Sequence, residues 1–186
     1  MLGSEARGLH NGFVHAPGGH DSPEAQSCNG CGITLYAPNL NLVRDPRWGR
    51  AQETFGEDPH HMQRLVVEYV TGAQNNTRGV HYDNKTHRPM LSGMCCKHVA
   101  AYDVESNRYQ FNASVDKRNL WESYLPAFKG CISEAKASHA MCSYNAINGV
   151  PTCAEPGLLT GVLRDQWDLW CAIMTRGYSW RSAMVI

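Results

Sequence analysis

Residues 41–59 read Asn-Leu-Val-Arg-Asp-Pro-Arg-Trp-Gly-Arg-Ala-Gln-Glu-Thr-Phe-Gly-Glu-Asp-Pro. The Asp58-Pro59 pair in this stretch predicts the start of a helix, because aspartate caps free N–H groups and proline fits the first helical position. Apolar residues then recur at helical spacing: Met62, Leu65, Val66, Tyr69, Val70 and Ala73. A hydrophobic strand precedes the charged part, so the stretch predicts a strand, a polar loop and an amphipathic helix packed on a sheet.

The loop between that strand and that helix carries side chains that suit a polar ligand. Arg44, Arg47 and Arg50 offer rigid donor forks, while carboxylates and aromatic rings offer acceptors and flat apolar faces. The carboxylates are Asp45, Glu53, Glu57 and Asp58, and the rings are Trp48 and Phe55. This combination matches a hydroxyl-rich, partly apolar ligand such as a sugar ring. The alternative, favoured for most of these charges, is a salt-bridged loop that only braces the fold.

Composition and charge limit which classes of protein this chain can belong to. The chain has 186 residues with 42% hydrophobic content, which is enough to bury a core and indicates a soluble globular protein. Lysine plus arginine equals aspartate plus glutamate at 17 each, so no excess charge is present to attract nucleic acid or an anionic membrane. No apolar run approaches the roughly 20 residues that cross a bilayer. We therefore expect neither a nucleic-acid partner nor a membrane partner.

Eight cysteines and three Asn-x-Ser/Thr sequons, at Asn75, Asn84 and Asn112, favour a secreted parent protein, although the first residues carry no secretory signal pattern. The C-x-x-C pair at 28 and 31 has no second pair at zinc-ribbon spacing, and the adjacent cysteines at 95 and 96 cannot both point at one metal from a strand. We expect disulfides or buried thiols and no metal or cofactor. The pairing stays open, although Cys142 and Cys153 flank a short turn and could meet.

The chain alternates predicted strands and helices. Strands are predicted at 33–43, 91–96, 139–144 and 171–175, and helices from Pro59 onward, at 116–135 with a kink at Pro126, and at 156–167. Residues 8–32 are expected to form an irregular loop after a short helical stub, 75–88 a surface excursion and 100–114 a long loop. A strand–helix succession with right-handed crossovers predicts an α/β fold with a parallel sheet.

Polar clusters follow the end of each predicted strand. They are the arginine-rich loop, Lys97-His98, Ser143-Tyr144-Asn145 and Arg176. In parallel sheets of this kind, chemistry takes place where strands end and helices begin. We therefore expect a functional site at this edge of the sheet.

Several ordered blocks carry a resemblance to a known family. They are Glu5-Ala6-Arg7, Tyr36-Ala37-Pro38-Asn39, Arg44-Asp45-Pro46-Arg47-Trp48-Gly49-Arg50, Gly56-Glu57-Asp58-Pro59, Cys95-Cys96-Lys97-His98, Ala101-Tyr102-Asp103, Arg108-Tyr109 to Asn112, Met141-Cys142-Ser143-Tyr144-Asn145 and Asn148-Gly149-Val150-Pro151-Thr152-Cys153. From about residue 4 to residue 170 these blocks resemble the N-terminal catalytic domain of family 3 glycoside hydrolases, in the xylan β-xylosidase and α-arabinofuranosidase branch.

The resemblance implies a fold and a division of the chain. The expected fold is a partial (β/α)8 TIM-type barrel, with about four parallel strands and intervening helices. Residues 1–32 would form the N-terminal helical stub and loop, 33–175 the partial barrel domain, and 176–186 a divergent tail. The implied activity is removal of terminal β-xylosyl or related residues from xylan-type oligosaccharides, with retention of configuration.

The resemblance also implies that Arg50, Lys97, His98 and Tyr144 line the subsite for the terminal sugar. Arg50 and Lys97 are cationic donors to ring hydroxyls, His98 adds a directional hydrogen bond, and Tyr144 offers a ring and a hydroxyl. The expected ligand is an oligosaccharide or a monosaccharide. The alternative for His98 is a buried histidine whose hydrogen bonds are all made within the protein core. The alternative for Tyr144 is ordinary hydrophobic packing.

The expected nucleophile is missing from its position. A retaining mechanism needs one carboxylate nucleophile and one acid/base carboxyl about 5 to 5.5 Å away. By the resemblance the nucleophilic aspartate should follow Thr175, where this chain has Arg176, and an arginine cannot attack an anomeric carbon. Asp45, Asp103 and Glu105 are the remaining carboxylates near strand ends, and we do not expect them to substitute.

The acid/base glutamate belongs to a second domain that this sequence does not contain, so the isolated chain is expected to be catalytically silent. The expected protein partners are that missing domain or other copies of the chain in an oligomer. Two alternatives stay open: a carbohydrate-binding pseudoenzyme that keeps the four sugar-contacting residues, and a truncated gene product without function. The second follows from the open edges that four strands of an eight-stranded barrel would leave.

Overall fold

The computed structural model describes residues 1–18, 32–75, 90–170 and 172–174. Seven strands occur in this part of the chain: β1 Thr34–Leu35, β2 Gly93–Val99, β3 Asn112–Ala113, β4 His139–Cys142, β5 Ala146–Ile147, β6 Val150–Pro151 and β7 Ile173–Met174. The helices are α1 Leu2–Val14, α2 Pro59–Gln74, α3 in the consecutive segments Lys117–Asn119, Leu120–Tyr124, Pro126–Lys129 and Gly130–Glu134, and α4 Gly157–Gln166. Short helical turns cover Ala51–Glu53 and Thr152–Ala154.

Four of the strands form one parallel sheet in the order β1-β2-β4-β7. Helices α2 and α3 connect these strands and pack on each other, and α2 also packs on β2. A second, smaller sheet has the order β3-β5-β6 and contains the short turn between Cys142 and Cys153. The predicted α/β class is confirmed, and the main sheet is the four-stranded part of a TIM-type barrel.

The first strand is shorter than the predicted range 33–43. Its regular ladder ends at Leu35, because Ala37 N donates back to Leu35 O at 2.9 Å and Pro38 has no backbone N–H to continue the ladder. The following residues still run beside β2: Leu40 N donates to Lys97 O at 2.6 Å, and Lys97 N donates to Pro38 O at 3.0 Å. The segment after β1 is therefore an irregular extension of that strand along the end of β2.

Helix α2 begins and ends as its sequence predicts. The Asp58 carboxylate accepts hydrogen bonds from the backbone N–H groups of His60 at 2.8 Å and His61 at 3.0 Å. Pro59 occupies the first turn, and Asn75 ends the helix with a left-handed backbone at φ 58°. Asparagine tolerates this conformation better than most residues, so both helix ends are fixed locally.

The buried face of α2 is rotated relative to the prediction. Leu65 and Tyr69 are 40% and 36% exposed, whereas Val67 is buried. The other buried apolar residues of this helix are Met62, Val66, Val70 and Ala73. The spacing of apolar residues could not show which face is buried. Helix α2 carries apolar residues both toward the sheet and toward α3.

Helix α1 is longer than the predicted stub, and residues 8–14 are helical rather than irregular. The helix is anchored by Arg7, whose Nη2 and Nε donate to the carbonyl oxygens of Met90 at 2.6 Å and Leu91 at 3.1 Å. It also lies close to α2, since a Cβ built on Gly3 would meet the Ala73 carbonyl oxygen. These tertiary contacts override the glycines that suggested a loop.

Helix α3 follows the predicted range 116–135, with the disturbance at its proline. The Asp116 side chain caps its start by accepting a hydrogen bond from Asn119 N at 2.9 Å. Immediately before Pro126 the turn widens, and Leu125 N donates to Leu120 O at 3.0 Å. A wide turn of this kind accommodates the proline ring without ending the helix.

Two disulfides join these elements. Cys96 of β2 is bonded to Cys131 of α3, and Cys142 is bonded to Cys153 across 11 residues with a Cα–Cα distance of 5.2 Å, the pair that the turn suggested. Among the described residues Cys95 is a free thiol, and burial raises its pKa to about 12. The cysteines at 28, 31 and 171 lie outside the described residues. Within the described ranges, no helix combines the length and apolar character of a membrane span.

Two glycines test the packing of α2 against α3. A Cβ at Gly130 would lie 2.8 Å from both the Cγ and the carbonyl oxygen of Gln63, whereas a Cβ at Gly72 would meet nothing within 4 Å. We expect Gly130→Ala to lower the free energy of unfolding by about 1–3 kcal/mol through overpacking. Gly72→Ala should raise it by about 0.5–1 kcal/mol, because it restricts the unfolded chain and favours helix. Urea unfolding of both variants checks this, and equal stability of the two would contradict the packing described.

Candidate functional site

The structure places three of the four predicted polar clusters at the carboxyl-end edge of the main sheet, while Arg176 of the fourth lies outside the described residues. Arg50 and His98 make direct contact, with 3.4 Å between Nη1 of the guanidinium and Nε2 of the ring. Lys97 precedes His98 at the end of β2, and Tyr144 lies two residues beyond the end of β4. Parallel strand ends and the loop after β1 thus bring these four residues to one edge of the sheet, as expected for an α/β site.

Arg50 is held in place by a neighbouring carboxylate. Its Nε and Nη2 donate to the two oxygens of Glu53 at 2.7 and 2.6 Å, and its side chain is only 11% exposed. The guanidinium carbon also lies 5.6 Å from the centre of the Tyr102 ring. The hydrogen bonds to Glu53 raise the pKa of Arg50 and lower the pKa of Glu53. Arg50 is therefore a fixed cation whose Nη1 remains directed at His98.

His98 is buried and is fixed by Asn41. The Asn41 Nδ2 donates to the His98 carbonyl oxygen at 2.8 Å, and the Asn41 Oδ1 accepts from the His98 backbone N–H at 3.0 Å. These two backbone contacts decide which atom of the Asn41 amide is oxygen. The same Oδ1 lies 3.0 Å from Nδ1 of the ring. Nδ1 must then carry the proton, and Nε2 accepts from Arg50.

Lys97 lies on a different wall of this region. It lines a cavity of about 210 Å³ together with Ala37, Pro38, Asn39, Glu53, Phe55 and Tyr69. The positive charge of Lys97 contributes to the lowered pKa of Glu53, after the larger effect of Arg50. Glu53 therefore connects the two cations, although the cavity is not lined by Arg50, His98 or Tyr144.

Tyr144 belongs to an aromatic cluster rather than to that cavity. Its ring lies edge-on to Tyr102 with 6.0 Å between ring centres, and edge-on to Tyr109 at 4.7 Å. The guanidinium carbon of Arg108 lies 5.2 Å from its ring centre. Tyr144 is thus one ring away from His98, since Tyr102 contacts both.

Tyr102 is the central residue that sequence reasoning did not single out. It is fully buried, its ring lies 5.1 Å from the His98 ring and 6.2 Å from that of Trp48, and its hydroxyl donates to Glu105 at 2.6 Å. Burial, followed by the hydrogen bond to Glu105, raises the pKa of its hydroxyl. The available signal was its position four residues after His98 within the Ala101-Tyr102-Asp103 block.

Most other charges of the loop have the bracing role favoured from the sequence. Arg47 binds Asp45 through an exposed ion pair at 2.6 Å, and this hydrogen bonding lowers the pKa of Asp45 to about 2. Arg44 lies over the Tyr124 ring at 5.2 Å, and Asp58 caps α2. Of the three arginines, Arg50 is the one placed against His98.

The carboxylates considered as substitute nucleophiles are each engaged by a neighbour. Asp103 accepts a hydrogen bond from the Tyr124 hydroxyl at 3.0 Å, and Glu105 accepts from Tyr102 and, at 2.7 Å, from Arg108. Asp45 pairs with Arg47. Residue 176 lies outside the described residues. The part of the chain that the structure describes holds no group of three or more metal-ligating side chains.

Two buried polar atoms next to this cluster lack a partner among the described residues: Nε1 of Trp48 and Oδ1 of Asn145. Buried polar atoms are satisfied in most proteins, and exceptions are concentrated where water or a ligand binds. The site therefore offers a fixed cation, hydroxyl donors and aromatic faces, and the two unsatisfied atoms are buried behind them. This set of groups suits a neutral polyhydroxylated ring.

The comparison with protein families decides the relationship. The model described as the glycosyl hydrolase family 3 N-terminal domain matches residues 23–178. The chain belongs to glycosyl hydrolase family 3. This confirms the resemblance stated from the sequence blocks.

Curated relatives carry β-xylosidase names. The chain is 43% identical over 171 residues to probable beta-D-xylosidase 7 of Arabidopsis thaliana, covering 90% of this chain and 20% of that protein. It is 48% identical over 141 residues to a probable exo-1,4-beta-xylosidase of Aspergillus clavatus, covering 74% of this chain and 17% of that protein. The chain thus spans about a fifth of the length of these relatives.

Solved structures of the family share the fold. A family 3 exo-beta-xylosidase in complex with a xylobiose aziridine activity-based probe has a TM-score of 0.73 at 29% identity, over 94% of this chain and 21% of that one. Beta-glucosidase 3B from Thermotoga neapolitana in complex with glycerol has a TM-score of 0.68 at 30% identity, over 96% of this chain and 22% of that one. The partial-barrel assignment is confirmed by these neighbours.

The hydrogen bonds of His98 predict its tautomer. Asn41 Oδ1 can only accept and the Arg50 guanidinium can only donate, so the neutral ring should carry its proton on Nδ1. Long-range ¹H–¹⁵N spectra of the ¹⁵N-labelled chain at neutral pH check this. A ring protonated on Nε2 alone would contradict the described arrangement. The Arg47→Gln variant is the control, because Arg47 pairs with exposed Asp45 and its loss should leave the His98 signals unchanged.

Proposed function

We propose that this chain forms the part of a β-xylosidase-like glycosidase that binds the terminal sugar of xylan-type oligosaccharides. The parent enzyme would remove terminal β-xylosyl or related residues with retention of configuration. The observation that carries the proposal is the Arg50–His98 contact, fixed by Glu53 and Asn41 at the end of β2. The relatives' β-xylosidase names support the choice of sugar.

Each proposed contact follows from the chemistry of its residue. The Arg50 guanidinium and the Lys97 ammonium would donate to ring hydroxyls, and their binding is charge-assisted. The His98 ring is held by Asn41 through Nδ1 and accepts from Arg50 through Nε2, so it keeps the guanidinium in place for the sugar. The half-buried Tyr144 ring would cover an apolar face of the sugar. Prior fixing of the cation and imidazole lowers the entropy cost of binding.

We propose further that these 186 residues do not hydrolyse glycosides by themselves. Arg176 takes the position where the family resemblance places the nucleophile, and a cation there would oppose a positively charged transition state. The three other candidate carboxylates near strand ends are engaged with Tyr124, Arg108 and Arg47. Those contacts favour the second candidate function, a carbohydrate-binding pseudoenzyme.

A secreted parent protein is part of the proposal. The described disulfides, Cys96–Cys131 and Cys142–Cys153, are typical of proteins that fold in an oxidising compartment.

Binding and catalysis can be measured separately. We expect xylose and xylobiose to bind the purified chain in titration calorimetry, while an aryl β-xyloside stays intact. Arg50→Ala should weaken binding at least about tenfold, because a charge-assisted hydrogen bond contributes about 1.5–3 kcal/mol. Arg47→Ala is the matched control in the same loop, since that side chain is 89% exposed, and it should bind like the wild type.

Absence of binding at millimolar sugar would contradict the proposed site. Retaining hydrolysis of the aryl xyloside by the purified chain would contradict the assignment of Arg176. Equal losses in Arg50→Ala and Arg47→Ala would show that loop stability, rather than contact with the sugar, determines affinity.

The Glu53–Arg50 pair predicts how binding depends on pH. The pKa of Glu53 is lowered from its ordinary value of 4.5, chiefly by Arg50. The pair is therefore complete above that value and is lost as pH falls through the lowered pKa. Sugar affinity should decline as pH falls through the lowered pKa of Glu53, because the protonated side chain no longer holds Arg50 by its charge. Glu53→Gln should bind more weakly throughout and lose this acid-side decline, and an unchanged decline in that variant would exclude Glu53 as its origin.

A further inference from the structure

An exposed ring with a fixed orientation lies beside Tyr144. Tyr109 is 61% exposed, yet it contacts Tyr144 edge-on at 4.7 Å and lies 5.0 Å from the guanidinium carbon of Arg108. Arg108 Nη2 also donates to the Tyr109 hydroxyl at 3.0 Å. We call Arg108, Tyr109 and Tyr144 the outer platform.

The outer platform is tied to the buried centre of the site through one carboxylate. Glu105 accepts from Arg108 at 2.7 Å through one oxygen and from the Tyr102 hydroxyl at 2.6 Å through the other. The Tyr102 ring in turn contacts His98 and lies under the Arg50 guanidinium. An exposed tyrosine held by these contacts presents a flat face at little entropy cost.

The chemistry of the outer platform suits a sugar better than other partners. A tyrosine ring covers an apolar sugar face, while the Tyr109 hydroxyl and the remaining Arg108 donors can reach ring hydroxyls. The net charge of the chain is zero, which gives a nucleic-acid backbone no general attraction. Side-chain contacts thus connect Arg50 and His98 to Tyr109 through the rings of Tyr102 and Tyr144.

We propose that Tyr109 and Arg108 form a second sugar subsite, which contacts the xylosyl residue adjacent to the terminal one. The inference rests on the proposed function, because it takes the terminal sugar to lie against Arg50, His98 and Tyr144. The second residue is the leaving group in a hydrolytic parent enzyme. Tyr109 and Arg108 would then favour disaccharides over xylose and over substrates with a small leaving group.

The test compares xylose and xylobiose on the 186-residue chain by titration calorimetry. We expect wild-type protein to bind xylobiose about five- to tenfold more tightly than xylose, as one added ring contact allows. Tyr109→Ala should reduce xylobiose affinity to that of xylose and leave xylose affinity unchanged. Tyr109→Phe should keep most of the preference. Trp170→Ala is the control, because it removes another exposed ring, one that precedes β7 at the opposite end of the sheet.

The outcomes separate the two proposals. If xylose binds and Tyr109→Ala keeps the full xylobiose preference, the second subsite is wrong and the proposed function stands. If neither sugar binds the wild type, the proposed function fails and this inference fails with it. A loss of xylose binding in Tyr109→Ala as well would assign Tyr109 to the terminal subsite or to folding, and would overturn the inference.

A measurement on the wild type covers the case in which the alanine variant unfolds. Saturation-transfer NMR with irradiation of aromatic protons should transfer magnetisation to both residues of xylobiose. Transfer to the non-reducing residue alone would overturn the second subsite, because no ring would then contact the other sugar.

Discussion

The hydrogen-bonded pair of Asn41 and His98 is the interaction on which both the sheet edge and the site depend. The Asn41 amide satisfies the backbone N–H and carbonyl of His98 and also meets its ring nitrogen. Both side chains are buried, so loss of the amide would leave several polar groups without partners. The pair joins the irregular extension of β1 to the end of β2. It thereby fixes the position of the ring against which Arg50 is placed.

From this pair the site extends in two chemically different directions. On one side, Glu53 holds Arg50 and lies beside Lys97 on the wall of the neighbouring cavity. On the other side, Tyr102 connects the His98 ring to Tyr144, with its hydroxyl bonded to Glu105. A fixed cation next to aromatic rings is suited to a ligand with hydroxyl groups and apolar faces. The chain belongs to a family of glycosyl hydrolases, and the proposed function gives each of these residues a separate part in sugar binding.

The sequence predicted the features that depend on local signals. The Asp58-Pro59 start of α2, the disturbance at Pro126 and the parallel order of strands all follow from capping, ring geometry and crossover handedness. It did not predict the length of α1, whose glycines are overridden by the Arg7 contacts with Met90 and Leu91. It also assigned Leu65 and Tyr69 to the buried face, because spacing alone does not show which neighbour covers a helix.

For the site too, the sequence predicted what depends on local signals and missed what depends on tertiary contacts. Residues at strand ends could be named from the sequence, because the edge of a parallel sheet collects them. The role of Tyr102 could not, since it depends on rings and a carboxylate from separate parts of the chain. The segregation of Lys97 into a different cavity wall also depends on the local path of the strand end, which a pattern does not encode.

The central claim is that the fixed Arg50–His98 pair contacts the terminal sugar, and side-chain NMR during a xylose titration tests it most directly. We expect saturable shifts of the Arg50 Nε–H and His98 ring signals, with one shared dissociation constant, while the Arg47 Nε–H signal stays constant. Saturable shifts confined to other residues, with Arg50 and His98 unchanged at full occupancy, would contradict it.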